Sequence, residues 1–162
     1  MNQMFCFQCE QTAGGKGCRK VGVCGKQPEV ANLQDELTCA LVGLARAARG
    51  QNPGQTADDL MMRGLFATIT NVNFDAERIK EMIHLVRREQ ENLGGAEEPE
   101  PASLWQGDPD MVSLRSLLLL GQGGWPPTPG TPLCLEREIP KLPTGSIKEC
   151  KTSARSTPSI SG

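Results

Sequence analysis

The length, composition and charge of the chain exclude several classes of protein. Its 162 residues are enough for one domain with a modest core, and its 17 Lys plus Arg nearly balance 19 Asp plus Glu, for a net charge of −2. This balance, together with only four Phe, two Trp and no Tyr, provides no basis for binding nucleic acid or an anionic membrane surface.

The sequence also lacks a targeting or membrane-spanning pattern. The first residues do not combine a basic region with an apolar stretch, and the apolar run 117–120 is far shorter than the ~20 residues of a membrane span. Seven cysteines, an odd number without a secretion signal, argue against a disulfide framework. We therefore expect a soluble cytoplasmic protein with no membrane and no nucleic-acid partner.

Residues 1–27 predict a cofactor-binding loop. The stretch is rich in Cys, Gly and Lys and shows neither helical nor strand periodicity. Its apolar side chains are too few to offset the entropy of ordering about 22 residues, at roughly 1–2 kcal/mol each. Metal binding must then supply the folding free energy of this loop.

Residues 28–95 predict an antiparallel helical bundle of three helices joined by short loops. Pro28 suits a first helical turn, Thr56 with Asp59 resembles a capping box, and Asn73 or Asp75 can cap a third helix. The apolar stripes of the three helices recur at helical spacing. They are Val30, Leu33, Leu37, Leu41 and Leu44; Leu60, Met61, Leu65 and Ile69; and Ile79, Met82, Ile83 and Val86.

The remaining chain divides into three parts. Residues 96–110 are acidic and contain proline, so they predict a linker, and residues 111–121 begin a further helix. Residues 122–162 hold seven of the twelve prolines and no amphipathic period, which predicts a disordered tail. The helix over 111–121 carries Leu114, Leu117 and Leu118 on one side. Taken together, these segments predict a mainly α fold class.

Four cysteines in the spacing C-x2-C-x8-C-x5-C favour an iron–sulfur cluster. They are Cys6, Cys9, Cys18 and Cys24. Soft thiolates hold iron, and one short loop can present four converging sulfurs. The interleaved glycines let backbone N–H groups approach the sulfurs, which helps to set the reduction potential. The charge of the thiolates can be compensated by Lys16, Arg19, Lys20 and Lys26.

A structural zinc site is the main competing interpretation of these cysteines. Zinc motifs usually contain two separated short knuckles, whereas here only Cys6 and Cys9 form one. Cys39 is expected to be a small buried side chain, and His84 a surface or half-buried histidine. Cys134 and Cys150 have no partners at ligand spacing, and no residue is assigned a catalytic role.

Several segments resemble the amino-terminal part of the hybrid cluster proteins, also called prismane proteins or hydroxylamine reductases. The stretch 4–25, MFCFQCEQTAGGKGCRKVGVCG, carries most of the resemblance. Further matching pieces are PEVANLQDEL at 28–37, GLFATITNVNFD at 64–75, WQGD at 105–108 and SLRSLLLLG at 113–121.

The resemblance implies an oxidoreductase that reduces hydroxylamine to ammonia and water with two electrons from a redox donor protein. It implies a 4Fe–4S cubane on Cys6, Cys9, Cys18 and Cys24. Reduction itself would occur at a second, hybrid iron–sulfur–oxygen cluster, whose ligands this chain lacks. The chain alone is therefore expected to be inactive. Two alternatives remain: a free-standing ferredoxin-like electron carrier, and a zinc-stabilised interaction module.

The change of composition near residue 122 leads to a further hypothesis. The segment 125–132 can be back-translated with codons whose shifted reading continues the preceding helix in a family-like way. Residues from about 122 onward would then be the product of a frameshift.

Overall fold

The computed structural model describes residues 3–69 and 73–124. Within these ranges the chain forms five α-helices and no strand, apart from one isolated bridge, so the predicted mainly α class is confirmed. The helices are α1 (Pro28–Ala47), α2 (Gly54–Thr68), α3 (Ala76–Asn92), α4 (Pro101–Leu104) and α5 (Pro109–Gly124). The tail and the frameshift hypothesis concern residues that lie mostly outside the described ranges. None of the helices in these ranges has the length and apolar character to cross a membrane.

Helix α1 is the centre of the core. It contacts α2, α3 and α4, and α2 contacts α3 and α5. The predicted stripe residues Leu37, Leu41 and Leu44 are buried, but so are Ala40 and Val42. A helix covered on several sides buries more than one stripe, and this was not predicted from its spacing.

The starts of α2 and α3 test the two capping predictions. The capping box at Thr56 is wrong: α2 begins at Gly54, with Pro53 at the capping position and no side-chain cap. A proline has the φ value of a helical first turn, so the helix begins before Thr56. The Asp75 cap is confirmed, because its carboxylate accepts hydrogen bonds from the N–H groups of Glu77 and Arg78 at 3.1 and 3.2 Å.

The segment 96–110, predicted as a linker, packs against the bundle. It contains α4, and Leu104 at the end of this helix is buried. Glu98 accepts three hydrogen bonds from the guanidinium of Arg87 in α3, at 2.8, 3.0 and 3.3 Å. Arg87 also donates to Glu36 of α1 at 2.8 Å. These contacts join the segment to two helices.

The predicted apolar side of α5 is partly wrong. Leu117 is 69 % exposed, whereas Leu119 is 5 % exposed. The buried face instead combines Leu119 with Ser116, which lies one turn earlier and bonds the carbonyl of Val112 at 2.8 Å. A hydroxyl that bonds within its own helix can be buried, so the buried face could not be located from apolar spacing alone.

Candidate metal centre

The first and third cysteines lie on paired backbone segments. The N–H of Cys6 donates to the carbonyl of Cys18 at 3.1 Å, and the N–H of Cys18 donates to the carbonyl of Cys6 at 2.7 Å. This antiparallel bridge brings together two residues that are twelve positions apart. The predicted loop is therefore closed on itself at two of the four proposed ligands.

A turn after Cys9 directs hydrogen-bond donors at Cys18. The N–H of Thr12 donates to the Cys9 carbonyl at 3.2 Å, and a 3-10 turn follows at Ala13–Gly15. Gly14 has a φ of 60°, a left-handed conformation that favours glycine. The turn leaves the Ala13 N–H 3.5 Å and the Thr12 hydroxyl 3.7 Å from the Cys18 Sγ.

These donors favour the thiolate form of Cys18. The pKa of its thiol is lowered from the ordinary value, first by the N–H of Ala13 and then by the N–H of Val23. The Thr12 hydroxyl and the positive charge of Lys26 act in the same direction, and burial opposes them. The thiolate is the form in which cysteine binds metal, and the surroundings of Cys18 favour that form.

The fourth cysteine lies in a second turn. The N–H of Gly25 donates to the carbonyl of Gly22 at 2.8 Å, and Cys24 between them is exposed. A methyl group at Gly22 would lie 3.1 Å from the Cys24 Sγ and 3.0 Å from the Lys26 Cβ, so glycine leaves the space that this turn needs. Cys9 is half-buried.

The four thiols fit a cluster by their chemistry. All five cysteines in the described ranges are free thiols. No group of three or more Cys, His, Asp or Glu side chains in those ranges is arranged to hold a single metal ion. Four thiols are the ligand set that iron–sulfur clusters use, and the sulfur of Cys18 also has the N–H donors that such clusters use.

A small cavity lies beside Cys6, between the loop and α1. Its volume is about 20 Å³, the space of one water molecule, and it is lined by the side chains of both the loop and α1. The Lys26 ammonium reaches it and donates to Gln34 Oε1 at 2.7 Å. Gln34 was not singled out from the sequence, although it lies four residues after Val30 and three before Leu37. The sequence contained one signal for it, because Gln34 is a polar residue within the apolar stripe of α1.

Asp35 and Trp105 line the same cavity. The Trp105 Nε1–H donates to the Asp35 Oδ1 at 2.9 Å, and the Trp105 ring packs edge-on against Phe7 of the loop. Burial raises the pKa of Asp35 from 3.8 to about 6, against the opposing effects of the Trp105 hydrogen bond and the Lys26 charge. Asp35 and Trp105 both lie in segments that carry the family resemblance, but spacing could not predict their pairing, since they are 70 residues apart.

The remaining candidates lie away from the loop cysteines or outside the described ranges. Cys39 is buried in α1, as predicted, and burial, followed by the negative charge of Asp35, raises the pKa of its thiol to about 12. It stays protonated and inert. His84 is exposed on α3. Cys134 and Cys150 lie in the part of the chain that the structure does not describe.

Comparison with known proteins identifies one family. The model of the Prismane/CO dehydrogenase family matches residues 4–125. This range includes the four loop cysteines and all five helices described above.

Curated relatives of the chain are named hydroxylamine reductase. The one from Syntrophobacter fumaroxidans is 41% identical over 75% of this chain and 29% of its own length. The relative from Desulfovibrio desulfuricans is 35% identical over 76% of this chain and 28% of its own length. A shorter match, to the protein of Solidesulfovibrio magneticus, is 55% identical over 45% of this chain and 14% of the relative. The chain thus spans less than a third of the length of these relatives.

Proposed function

The chain belongs to the Prismane/CO dehydrogenase family, and on that premise we propose that Cys6, Cys9, Cys18 and Cys24 bind a 4Fe–4S cluster. When bound, the cluster would supply one-electron transfer. The loop would hold it by four thiolates, and the backbone N–H groups of the two turns would stabilise the charge on the sulfurs.

The observation that carries this proposal is the hydrogen bonding around Cys18. Its backbone is bridged to Cys6, and its sulfur faces the Ala13 N–H at 3.5 Å and the Thr12 hydroxyl at 3.7 Å. A structural cysteine in an apolar core has a raised thiol pKa, as Cys39 does. Cys18 is instead buried among donors that favour the anion, which is the requirement for a metal ligand.

We propose that the whole protein reduces hydroxylamine, NH2OH + 2 e− + 2 H+ → NH3 + H2O. The present chain would pass electrons from a redox donor protein toward a second, hybrid iron–sulfur–oxygen cluster. Nothing in the described ranges is assigned to that second cluster, and the single histidine of the chain, His84, is exposed on α3. We also propose a cytoplasmic location, because a reducing compartment would keep such thiols free.

The proposal is tested by anaerobic purification with iron and sulfide counted. We expect brown protein with about four irons and four sulfides per chain and an EPR signal after reduction. Cys18→Ser should lose most of the iron. The matched control is Cys39→Ala, which changes a buried cysteine outside the loop and should keep the full iron content. Colourless, iron-free protein even after reconstitution would contradict the proposal.

The alternatives predict different results in the same samples. A zinc-stabilised interaction module would contain one redox-inert, colourless metal ion per chain. A free-standing ferredoxin-like carrier would contain the cluster, cycle reversibly by one electron and need no further protein part for its role. Hydroxylamine turnover with a chemical electron donor separates the proposed relay from a complete enzyme. We expect no turnover by the 162-residue chain, and activity would refute that assignment.

We also propose that residues from about 122 onward come from a different reading frame. The change of composition there lies close to residue 125, where the family match ends. The nucleotide sequence tests this: a one-base shift should restore a long family-like frame, and its absence would contradict the proposal.

A further inference from the structure

We infer that Lys26 is a positioning residue for the cluster: its buried ammonium compensates the thiolate of Cys6 and thereby raises the reduction potential. This inference rests on the proposed function, because it takes Cys6 to be a cluster ligand. Among residues 3–27, it concerns the one Lys or Arg side chain that is buried.

The burial of Lys26 distinguishes it from the other cations of the loop. Its residue is 2 % exposed, and it is among the largest fully buried side chains of the described ranges. The other three basic residues are exposed: Lys16, Arg19 and Lys20. Solvent and salt screen exposed charges strongly and buried charges much less. Of the four, Lys26 therefore exerts the largest effect on nearby charge.

The contacts of the Lys26 ammonium leave one position for an anion. It donates to Gln34 Oε1 at 2.7 Å and to Gln8 Oε1 at 3.4 Å, and both of these acceptors are neutral amides. Its third neighbour is the Cys6 Sγ at 3.9 Å. In the described part of the chain no carboxylate forms an ion pair with Lys26, although Asp35 lines the same cavity.

A buried ammonium needs a negative partner, because its desolvation is costly unless it is paired. As a cluster ligand, Cys6 would be a thiolate and would place negative charge next to the ammonium. The ammonium and the thiolate thus stabilise each other. Since N–H and ammonium donors to cluster sulfurs set the reduction potential, Lys26 contributes to that setting.

The position of Lys26 is held by the bundle rather than by the loop alone. The Gln34 amide nitrogen donates to the carbonyl of Ala67 at 3.3 Å and to the carbonyl of Asn73 at 3.0 Å. With both N–H groups used, the amide oxygen of Gln34 faces the ammonium. Helix α1 thereby places the cation beside Cys6.

The direction of the effect follows from charge. Reduction adds one electron to the cluster and makes it more negative. A fixed positive charge nearby stabilises the reduced form more than the oxidised form. Removing the charge should therefore lower the reduction potential.

The test is a redox titration of cluster-loaded protein, followed by EPR. Lys26→Met and Lys26→Gln should each disfavour reduction by at least tenfold, a shift of about 59 mV to lower potential for one electron. Lys26→Arg keeps the charge and should therefore shift the reduction potential by less than a third as much as the two neutral variants do. The matched control is Lys20→Met, which removes an exposed lysine of the same loop. This variant should shift the reduction potential least.

Each outcome decides the inference. Potentials of Lys26→Met and Lys26→Gln equal to that of Lys20→Met would overturn it. If both neutral variants fail to hold a cluster while Lys26→Arg holds one, a requirement for charge at Cys6 is supported. If Lys26→Arg also loses the cluster, the inference is overturned, because the site then requires the shape of the lysine side chain and not its charge. A wild-type protein that binds no cluster would instead refute the proposed function itself.

Discussion

The cysteine loop and the helical bundle are held together by different interactions. In the bundle, Leu37 and Leu41 are fully buried among apolar neighbours from α2 and α3. In the loop, Val21 is 48 % exposed and Val23 is 59 % exposed, and the contacts that order it are mainly hydrogen bonds. The bundle can be stable through apolar burial, whereas the loop depends on polar contacts and, under the proposed function, on the cluster.

The two regions nevertheless share one boundary. Met4 and Cys18 pack against Ala31 of α1, and Phe7 packs against Trp105. Gln8 also donates to the carbonyl of Thr68 at the end of α2, at 3.2 Å. These contacts position the loop on the bundle, and the difference between the regions can be tested on either side of the boundary.

The largest expected effect comes from removing one of the four proposed cluster ligands, which should affect the loop and not the bundle. Cys9→Ser should leave the helical signal of α1 to α3 largely unchanged, because their core does not include Cys9. The loop should then be cleaved by protease at nearly the rate of an unfolded chain, since the remaining contacts cannot offset its entropy. Limited proteolysis with mass spectrometry and far-UV circular dichroism measure the two parts. Resistance equal to that of wild type and Cys39→Ala would show that the loop does not need the metal.

The second largest expected effect is a pH dependence of stability that comes from Asp35, which lies at the boundary between the loop and the bundle. Its pKa is about 6 in the folded protein against 3.8 for the ordinary group, so the folded state binds the proton more tightly. The free energy of unfolding should therefore fall as pH rises from about 4 to about 6, by a total on the order of 3 kcal/mol. Asp35→Asn keeps an acceptor for Trp105 but does not titrate, so its stability should exceed that of wild type above pH ~6.

Denaturant unfolding at about pH 5 and about pH 7 measures this difference. The comparison is between the two proteins at each pH, so any acid sensitivity of the cluster affects both. Parallel pH profiles of wild type and Asp35→Asn would contradict the prediction.

The smallest effect lies within the bundle. A methyl group at Gly64 of α2 would approach the Leu41 Cδ2 of α1 to 2.7 Å, and Leu41 is completely buried. Gly64→Ala should cost about 1–2 kcal/mol, because overpacking outweighs the better helix propensity of alanine. In a Leu41→Ala background the same substitution should stabilise by up to about 1 kcal/mol. Denaturant unfolding of the four proteins measures the coupling, and equal effects in both backgrounds would contradict the close contact.

Local patterns predicted part of this structure well. The stripes of α1 and α3 and the Asp75 cap depend on residues within a few positions of each other, so spacing was sufficient to find them. The capping box at Thr56 failed because Pro53 offered an earlier start to the same helix. The apolar side of α5 failed because burial there depends on where α2 lies.

The sequence by itself determined the mainly α class and, as a hypothesis, the four cysteine ligands, because periodicity and ligand spacing are local properties. Only the tertiary structure decided which charges are buried beside those cysteines. Lys26 is one of four basic residues near the cysteines, and the sequence does not distinguish it from the other three. Its partner Gln34 lies 8 positions away, and Trp105, the partner of Asp35, lies 70 positions away. Burial and electrostatics depend on all surrounding atoms, so packing of the loop on α1 was needed to reveal them.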